Sequence, residues 1–406
     1  MINVAVFGYG TVGSGTVEVL MDNGDIIENT VHDRINVKSI LDLRDFPGDK
    51  YESRIVHDVD EIINDPEISI ICETMGGTGA AYKFTKMALE AGKSVCTSNK
   101  EMVASHGAEM IALAKAHNCS YKFEASVGGG IPIIRPLETS LTADVILSVC
   151  GIVNGTTNYM LTKMEKENAE FADVLKKAQA NGYAEADPTA DIEGFDACRK
   201  IAILASLVYK KTVKYEDIPT EGIKNISARD IKYAGHLGRK IKLLARYESN
   251  NNIRYAMVAP FMLLPENPLY HVDDVFNAIK VTGNMLGDAM FYGKGAGRLA
   301  TASAVAGDVV ECACNLGKSL TSDLSAETVS FDGFKKASRR FFVRVGAEVT
   351  AEAREALPVE EEVKVGFYDE FAFVTKEMTE GDFAVAKEKL GAGIINFIRL
   401  EDTSAI

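Results

Sequence analysis

The sequence predicts an α/β protein of two or three domains whose N-terminal part is a doubly wound parallel sheet. The chain has 406 residues, which is more than one hydrophobic core usually organises. Over its first third, short runs rich in β-branched residues alternate with segments of helical periodicity. This alternation is typical of parallel strands that are joined by crossover helices.

The composition is that of an ordinary globular protein with an acidic balance. Hydrophobic residues make up 47% of the chain and charged residues 25%, and 44 Lys and Arg against 58 Asp and Glu give a net charge of −14. Binding to nucleic acid or to an acidic membrane surface requires basic residues, so we expect neither partner.

The cysteines and the N-terminus predict a cytoplasmic location. Seven cysteines are scattered through apolar runs, without the spacing of a metal site or a disulfide framework. The N-terminus reads directly into a strand rather than a signal peptide, and no stretch is apolar enough to span a bilayer.

The first strand leads into a glycine-rich turn. A buried strand over residues 2–7 is followed by Gly8-x-Gly10-x-x-Gly13 and by a helix that ends near Leu20. In a Rossmann-type sheet such glycines let a pyrophosphate approach the helix N-terminus, whose N–H groups bind it. The alternative is a strand–helix turn without a ligand, but the position between strand and helix favours a dinucleotide site.

The second strand ends in charges of both signs. Asp42 would suit the ribose hydroxyls of NAD, and Arg44 would suit the 2′-phosphate of NADP. Asp42 is unusually far from Gly13, and Arg44 lies nearer the expected loop, so the prediction leans to NADP while the choice stays open. Arg44 and Asp45 could also form a plain solvated turn.

Further strands end near candidate ligand-binding residues. Lys100 follows the strand "SVCTS", and ligands of doubly wound sheets lie beyond the carboxyl ends of strands. Surface lysines are common, so both a surface role and a ligand role stay open. The run "GGGIP" at residues 128–132 is a strong turn signal and marks the exit from the first domain.

The second domain contains an acidic stretch ahead of an apolar helix. Five carboxylates lie within residues 181–200, and the predicted helix runs from Phe195 to Tyr209. Asp196 and Lys200 are four positions apart on this helix and share a face. A lysine on a buried helix must be paired or must face a polar cavity. The residues alone leave a proton-donor site and a structural ion pair equally open.

Six segments together resemble homoserine dehydrogenase over residues 1 to about 316. In chain order they are "GYGTVG", "TSNK", "EASVGGGIPII", "GIVNGTTNYM", "NGYAEADPTADIEGFDACRKIAIL" and "GKGAGRLATASAV". The resemblance implies reversible NAD(P)H-dependent reduction of L-aspartate 4-semialdehyde to L-homoserine, on the route to threonine, methionine and isoleucine. It also implies a nucleotide-binding domain over residues 1–132, completed by a return segment around 292–318. An α+β catalytic and dimerisation domain would cover residues 133–318. The protein would form a homodimer, and whether two dimers pair into a tetramer stays open.

The resemblance also implies roles for individual residues. Lys200 would give a proton to the developing alkoxide, and Lys100 would be a second catalytic ammonium group. The substrate would be bound by Glu185, which faces its amino group, and by Asp196, Asp191 and Thr156. The cofactor would be bound by Gly8, Gly10, Thr11, Val12, Gly13, Arg44, Lys100, Gly182 and Gly297.

The run "EASVGGGI" resembles the monovalent-cation site of the family. The ligands would be the side chain of Glu124 and the main-chain oxygens of Val127, Gly129 and Ile131. One carboxylate with carbonyl oxygens suits a hard, weakly held ion such as sodium. The alternative is a glycine-rich turn that holds no ion.

Residues 337–406 read as strand–helix–strand–strand–helix–strand and resemble a small ACT-like module. The Pro-Gly turn after the first strand, typical of effector-binding ACT domains, is absent from "VRVGAEVTAEAREAL". We therefore expect the module to mediate assembly rather than feedback inhibition by threonine.

Two other functions compete with this hypothesis. One is an oxidoreductase that acts on a different semialdehyde or amino acid, and the other is a non-catalytic sensor of dinucleotide and amino acid. A sensor needs no proton donor, so the presence of both Lys100 and Lys200 argues against it.

Overall fold

The computed structural model describes residues 1–250, 253–367 and 369–402. Residues 368 and 403–406, which belong to the predicted C-terminal module, lie outside the described residues. The chain divides into two compact units. The first comprises Met1–Asp144, Ala202–Tyr215 and Phe291–Val329, and the second comprises Val145–Ile201, Glu216–Met290 and Ser330–Ile406. The division into three domains that the sequence suggests stays a prediction.

The elements alternate between strand and helix along the first part of the chain and are mixed thereafter. The strands are β1 (Ile2–Phe7), β2 (Ile35–Leu41), β3 (Ile55–Val56), β4 (Ile68–Glu73), β5 (Ser94–Thr97), β6 (Tyr121–Lys122), β7 (Ile146–Ile152), β8 (Lys211–Val213), β9 (Lys240–Asn250), β10 (Ile253–Leu263), β11 (Phe276–Gly283), β12 (Gly287–Lys294), β13 (Ser325–Val329), β14 (Ser338–Arg339), β15 (Phe341–Gly346), β16 (Val359–Glu362), β17 (Glu370–Thr375), β18 (Met378–Thr379) and β19 (Ile394–Glu401). The α-helices are α1 (Thr11–Asp22), α2 (Gly24–Val31), α3 (Val59–Ile63), α4 (Gly79–Glu90), α5 (Lys100–Ala116), α6 (Gly155–Glu167), α7 (Phe171–Ala180), α8 (Thr189–Ile192), α9 (Phe195–Tyr209), α10 (Ala228–His236), α11 (Arg298–Ala313), α12 (Thr350–Ala356) and α13 (Glu380–Leu390).

The first unit is built on a six-stranded parallel sheet. Its strand order is β3-β2-β1-β4-β5-β6, and every neighbouring pair is parallel. The order runs outward in both directions from β1 and β4, which makes the sheet doubly wound. Val4, Val6 and Ile70 in the central strands are fully buried, as expected for strands covered on both faces. The predicted fold class is confirmed.

The second unit is built on a nine-stranded mixed sheet. Its order is β12-β11-β7-β9-β10-β19-β15-β17-β16. Strand β9 pairs antiparallel with both β7 and β10, whereas β19 pairs in parallel with β10. The predicted helix α9 begins at Phe195 and ends at Tyr209, as expected. Its residues as far as Ile201 belong to the second unit, and Ile201 is fully buried.

The C-terminal segment has the predicted order of elements. Strand β15 is followed by α12, β16, β17, α13 and β19, and these four strands lie in the order β19-β15-β17-β16. They continue the larger sheet through the pairing of β19 with β10. The assignment of this segment, residues 337–402, to an ACT-like module stays a prediction.

None of the helices within residues 1–250, 253–367 and 369–402 combines the length and the apolar character that crossing a bilayer requires.

Candidate active site

The glycine-rich turn after β1 is shaped to receive an anion. A Cβ on Gly13 would lie 1.9 Å from the main-chain oxygen of Gly8, so only glycine fits at this position. Gly10 is the N-cap of α1 and gives the helix no side-chain cap, and space is open beside its Cα. Thr11 and Val12 begin the helix, where N–H groups lack intrahelical acceptors. A dinucleotide pyrophosphate fits this cradle.

The pair Asp42–Arg44 lies just beyond the end of β2. Arg44 donates from Nε to Asp42 Oδ1 and from Nη2 to Asp42 Oδ2, both at 3.0 Å, and the N–H of Tyr9 donates to Asp42 Oδ2 at 2.8 Å. The hydrogen bonds from Arg44 lower the pKa of Asp42 to about 2. The Asp42 side chain is 8% exposed and that of Arg44 is 63% exposed. Arg44 is therefore the member of the pair that a ligand can reach.

Lys100 is the first residue of α5 and follows the end of β5. Asn99 caps this helix by accepting from the N–H of Met102, and its amide donates to the main-chain oxygen of Gly77 at 2.6 Å. The hydroxyl of Thr97 donates to the carboxylate of Glu73 at 2.6 Å. Burial raises the pKa of Glu73. These three side chains, which the sequence did not single out, fix the loop that presents Lys100.

Lys200 lies in a compact polar cluster of the second unit. Its Nζ donates to Asp196 Oδ2 and to the main-chain oxygen of Val153, each at 2.7 Å. Asn154 Nδ2 donates to the same Asp196 oxygen at 2.8 Å and to Asp191 Oδ1 at 2.7 Å. Lys200, Asp196 and Asn154 are all buried. One amide thus bridges the two carboxylates and aligns one of them with the lysine.

The local fold explains why these groups meet. Strand β7 ends immediately before Val153, and Asn154 is the N-cap of α6, where its Oδ1 accepts from the N–H of Thr157 at 2.9 Å. The cap occupies the amide oxygen, so the amide NH₂ points to the acids. Asp196 and Lys200 lie one helical turn apart on α9 and form the predicted i, i+4 pair.

Two other predicted substrate residues, Thr156 and Glu185, lie on α6 and in the acidic loop of the same unit. Thr156 donates from Oγ1 to the main-chain oxygen of Tyr183 at 2.7 Å, which ties α6 to the acidic loop. Glu185 and Gly182 are exposed in that loop, and the main-chain oxygen of Glu185 accepts from Gln179 at 3.1 Å.

The predicted residues fall into two sets. The structure brings Lys200, Asp196 and Asp191 into one cluster of the second unit. Lys100 and Gly297 lie in the first unit, where Gly297 is the N-cap of α11 with φ 122°.

The predicted cation turn is anchored by Glu124. Its Oε1 accepts from the N–H groups of Ile133 and Ile134 at 2.6 and 2.8 Å, and its Oε2 accepts from the N–H of Arg135 at 2.7 Å. These bonds occupy most of the lone pairs of the carboxylate. The residues fit a cation that is held mainly by main-chain oxygens. The predicted ligands are the main-chain oxygens of Val127, Gly129 and Ile131. Among the described residues, no three His, Cys, Asp or Glu side chains form a group able to hold a metal ion.

Asn154 is the functional candidate that the sequence analysis missed. Asparagine ahead of a helix start is a common N-cap, and this signal could have placed Asn154 at the end of a strand. It could not have shown that the amide reaches Asp191 and Asp196, which lie 37 and 42 positions along the chain.

Comparisons with known proteins give one consistent result. A family model described as "Homoserine dehydrogenase, NAD binding domain" matches residues 8–124, and one described as "Homoserine dehydrogenase" matches residues 132–310. A homoserine dehydrogenase of Synechocystis sp. is 38% identical over 424 aligned positions, which cover 96% of this chain and 96% of that protein.

Solved structures agree over nearly the whole chain. A homoserine dehydrogenase from Thiobacillus denitrificans is similar with a TM-score of 0.89 at 32% identity, and the match covers 99% of each chain. A hyperthermophilic archaeal homoserine dehydrogenase, solved in complex with NADPH, gives a TM-score of 0.64 at 28% identity, covering 77% of this chain and 97% of that one.

The bridging role of Asn154 can be tested by replacing it with aspartate. Asn154→Asp keeps the helix cap but turns the bridging donor into a third carboxylate beside Asp191 and Asp196. We expect the free energy of unfolding to fall by about 1–3 kcal/mol at about pH 8. The new carboxyl would have a folded-state pKa above its unfolded value of about 3.9, so stability is retained at low pH and lost as pH rises. Urea unfolding at about pH 5 should therefore show a smaller deficit.

Asn267→Asp is the matched control. Asn267 is also a buried N-cap, which accepts from the N–H of Leu269 at 3.0 Å, and it bridges no carboxylates in the described structure. The free energy of unfolding of Asn267→Asp should lie close to that of the unmodified protein at both pH values. A deficit for Asn154→Asp that equals that of the control, or that does not shrink at low pH, would contradict the bridge.

Proposed function

This chain belongs to the homoserine dehydrogenase family, and from that premise we propose that Lys200, held by Asp196 and the main-chain oxygen of Val153, is its proton donor. The protein is an NAD(P)-dependent oxidoreductase that interconverts L-aspartate 4-semialdehyde and L-homoserine. The observation that carries the proposal is the buried ammonium group of Lys200, which donates to the carboxylate of Asp196 and to the main-chain oxygen of Val153.

Reduction of the aldehyde creates a negative charge on its oxygen. A nicotinamide cofactor, when bound, would supply the hydride. Lys200 then gives a proton to the developing alkoxide, and in the oxidation of homoserine it takes the proton from the hydroxyl group. Because Asp196 and Val153 hold the ammonium group in one place, it needs little reorganisation when charge develops.

The acidic residues around Lys200 suit an amino-acid substrate. L-Homoserine carries an α-ammonium group, and Asp191 and Glu185 offer carboxylates for it. Thr156 lines the same part of the second unit through its bond to Tyr183. The bridging amide of Asn154 keeps Asp191 and Asp196 from moving apart, despite their like charges.

Lys100 is proposed as the second ammonium group. It lies at the carboxyl end of β5, where ligands of doubly wound sheets bind. Two ammonium groups near the carbonyl oxygen would stabilise the alkoxide more than one. Gly182 and Gly297 are proposed as further cofactor contacts.

We propose a preference for NADP over NAD. Asp42, the usual partner of the ribose hydroxyls, is already engaged with Tyr9 and Arg44. The exposed guanidinium of Arg44, which also lies 5.0 Å from the ring centroid of Phe46, is well placed for a 2′-phosphate.

The cation, assembly and location complete the proposal. Sodium would bind at the turn anchored by Glu124.

A homodimer is supported by exposed apolar side chains at the edge strand β12 and in the turn before it, namely those of Met285, Leu286 and Met290. Such a sheet edge is usually covered. The C-terminal module would contribute to assembly, and the protein would act in the cytoplasm.

The role of Lys200 predicts a specific loss in Lys200→Ala. Asp196 keeps the hydrogen bond from Asn154 in this variant, so we expect a folded protein. Its kcat for homoserine oxidation should fall by about 10²–10⁴-fold, while NADPH affinity measured by fluorescence titration stays unchanged. Lys177→Ala, which removes an exposed lysine paired with Glu167, should retain full activity. Turnover of Lys200→Ala at the level of this control would remove Lys200 from the mechanism.

The role of Arg44 predicts a change in cofactor selectivity. In Arg44→Ala, kcat/KM for NADP should fall by about 10- to 100-fold, because a charged hydrogen bond to the phosphate is lost. The value for NAD should stay the same or rise, since the variant releases Asp42. Steady-state kinetics with both cofactors measures the ratio, and Arg34→Ala, an exposed arginine paired with Glu28, is the control. An equal loss with both cofactors would contradict a phosphate-binding role.

A further inference from the structure

We infer that Glu221 and Arg399 are positioning residues for residues 189–194, called here the substrate loop. Arg399 belongs to the C-terminal segment, and its ion pair with Glu221 holds this loop in place. The inference rests on the proposed role of Asp191, which belongs to this loop. All the residues involved lie in the second unit.

Arg399 is the anchor of this arrangement. It lies on β19, is 3% exposed, and donates from Nη1 and Nη2 to the two carboxylate oxygens of Glu221 at 2.9 and 2.8 Å. Its Nε and Nη2 donate to the two oxygens of Glu380 at 2.7 and 2.9 Å. Two-pronged pairing on both sides fixes the plane of the guanidinium, which a lysine could not reproduce.

Glu221 belongs to a short main-chain segment that runs beside β10. The N–H of Glu221 donates to the oxygen of Val258 at 2.8 Å, and the N–H of Val258 donates to the oxygen of Pro219 at 2.9 Å. Residues 219–221 therefore lie against β10 and are fixed at one side by main-chain bonds. The side chain of Glu221 fixes the same segment to β19.

The next residue, Gly222, touches the substrate loop without an intervening side chain. A Cβ on Gly222 would lie 1.9 Å from the oxygen of Ile192 and 2.4 Å from the Cα of Glu193. The N–H of Ile223 donates to the oxygen of Ile192 at 2.8 Å. A displacement of the segment by a fraction of an ångström is therefore transmitted directly to the main chain of α8.

The loop carries this contact into the cluster around Lys200. Asp191 precedes Ile192 on α8, its carboxylate accepts from Asn154, and its main-chain oxygen accepts from the N–H of Gly194 at 3.0 Å. Helix α9, which carries Asp196, begins at Phe195, the residue after Gly194. One chain of contacts from Arg399 to Asp191 thus runs through Glu221, Gly222 and Ile192.

The burial of the pair makes it testable without loss of the fold. The Glu221 side chain is 40% exposed, so its removal leaves no large cavity. Arg399 keeps both bonds to Glu380, a carboxylate that also pairs with the buried Arg339, so the guanidinium of Arg399 retains an ionic partner. Glu221→Ala should therefore release the segment while the sheet stays intact.

In Glu221→Ala we expect KM for L-homoserine to rise by about 3- to 30-fold, the range of couplings carried by such contacts. KM for the dinucleotide should not change, because the glycine-rich turn belongs to the first unit. Glu221→Gln keeps an acceptor for Arg399 and should recover part of the effect. Hydrogen exchange of the amides in residues 189–194 should be faster in Glu221→Ala than in the unmodified protein.

Asp369→Ala is the matched control. Asp369 forms an ion pair of 2.9 and 3.0 Å with Arg229 of α10, so this variant breaks another charged link between the C-terminal segment and the rest of the unit. Its kinetics and loop exchange should match those of the unmodified protein. A shift equal to that of Glu221→Ala would overturn a specific role for Glu221.

The two readouts separate this inference from the proposed function. Unchanged hydrogen exchange in Glu221→Ala would overturn the positioning role. Faster exchange with an unchanged KM for homoserine would instead overturn the assignment of the loop, with Asp191, to substrate binding.

Discussion

The cluster around Lys200 depends on the cost of burying an ammonium group. A buried lysine that lacks acceptors would lose several kcal/mol of solvation free energy, on the order of the penalties measured for buried ions. Here Asp196 and the carbonyl of Val153 accept from it, and the amide of Asn154 holds Asp196 in turn. The strand–helix junction at β7 and α6 and the start of α9 must meet for these bonds to form. The catalytic hypothesis and the local fold therefore rest on the same hydrogen bonds.

Close main-chain approaches set the rest of the geometry. Gly13 lets the first helix approach the turn after β1, and Gly222 lets the 219–223 segment touch the substrate loop. In each case a side chain would collide with main-chain atoms rather than with a movable group. The first contact shapes the dinucleotide cradle and the second supports Asp191, so each unit has one part of its proposed site built on such a contact.

Patterns that are local in the sequence predicted their part of the structure. The doubly wound sheet, the order of elements in the C-terminal segment and the bounds of α9 follow from periodicity, and the pairing of Asp196 with Lys200 follows from their spacing on one helix. The bridge made by Asn154 and the pair of Glu221 with Arg399 could not be predicted. Glu221 and Arg399 are 178 positions apart, and the parallel pairing of β19 with β10 brings them together.

The most direct test of the account is a crystal structure of the protein with NADPH and L-homoserine, a pair that cannot react with each other. We expect the hydroxyl oxygen of homoserine to lie about 3 Å from Lys200 Nζ, within hydrogen-bond range, with the α-ammonium group facing Asp191 and Glu185. A hydroxyl oxygen that lies more than about 4 Å from Lys200 Nζ and is bound by other groups would contradict the assignment of Lys200 as proton donor.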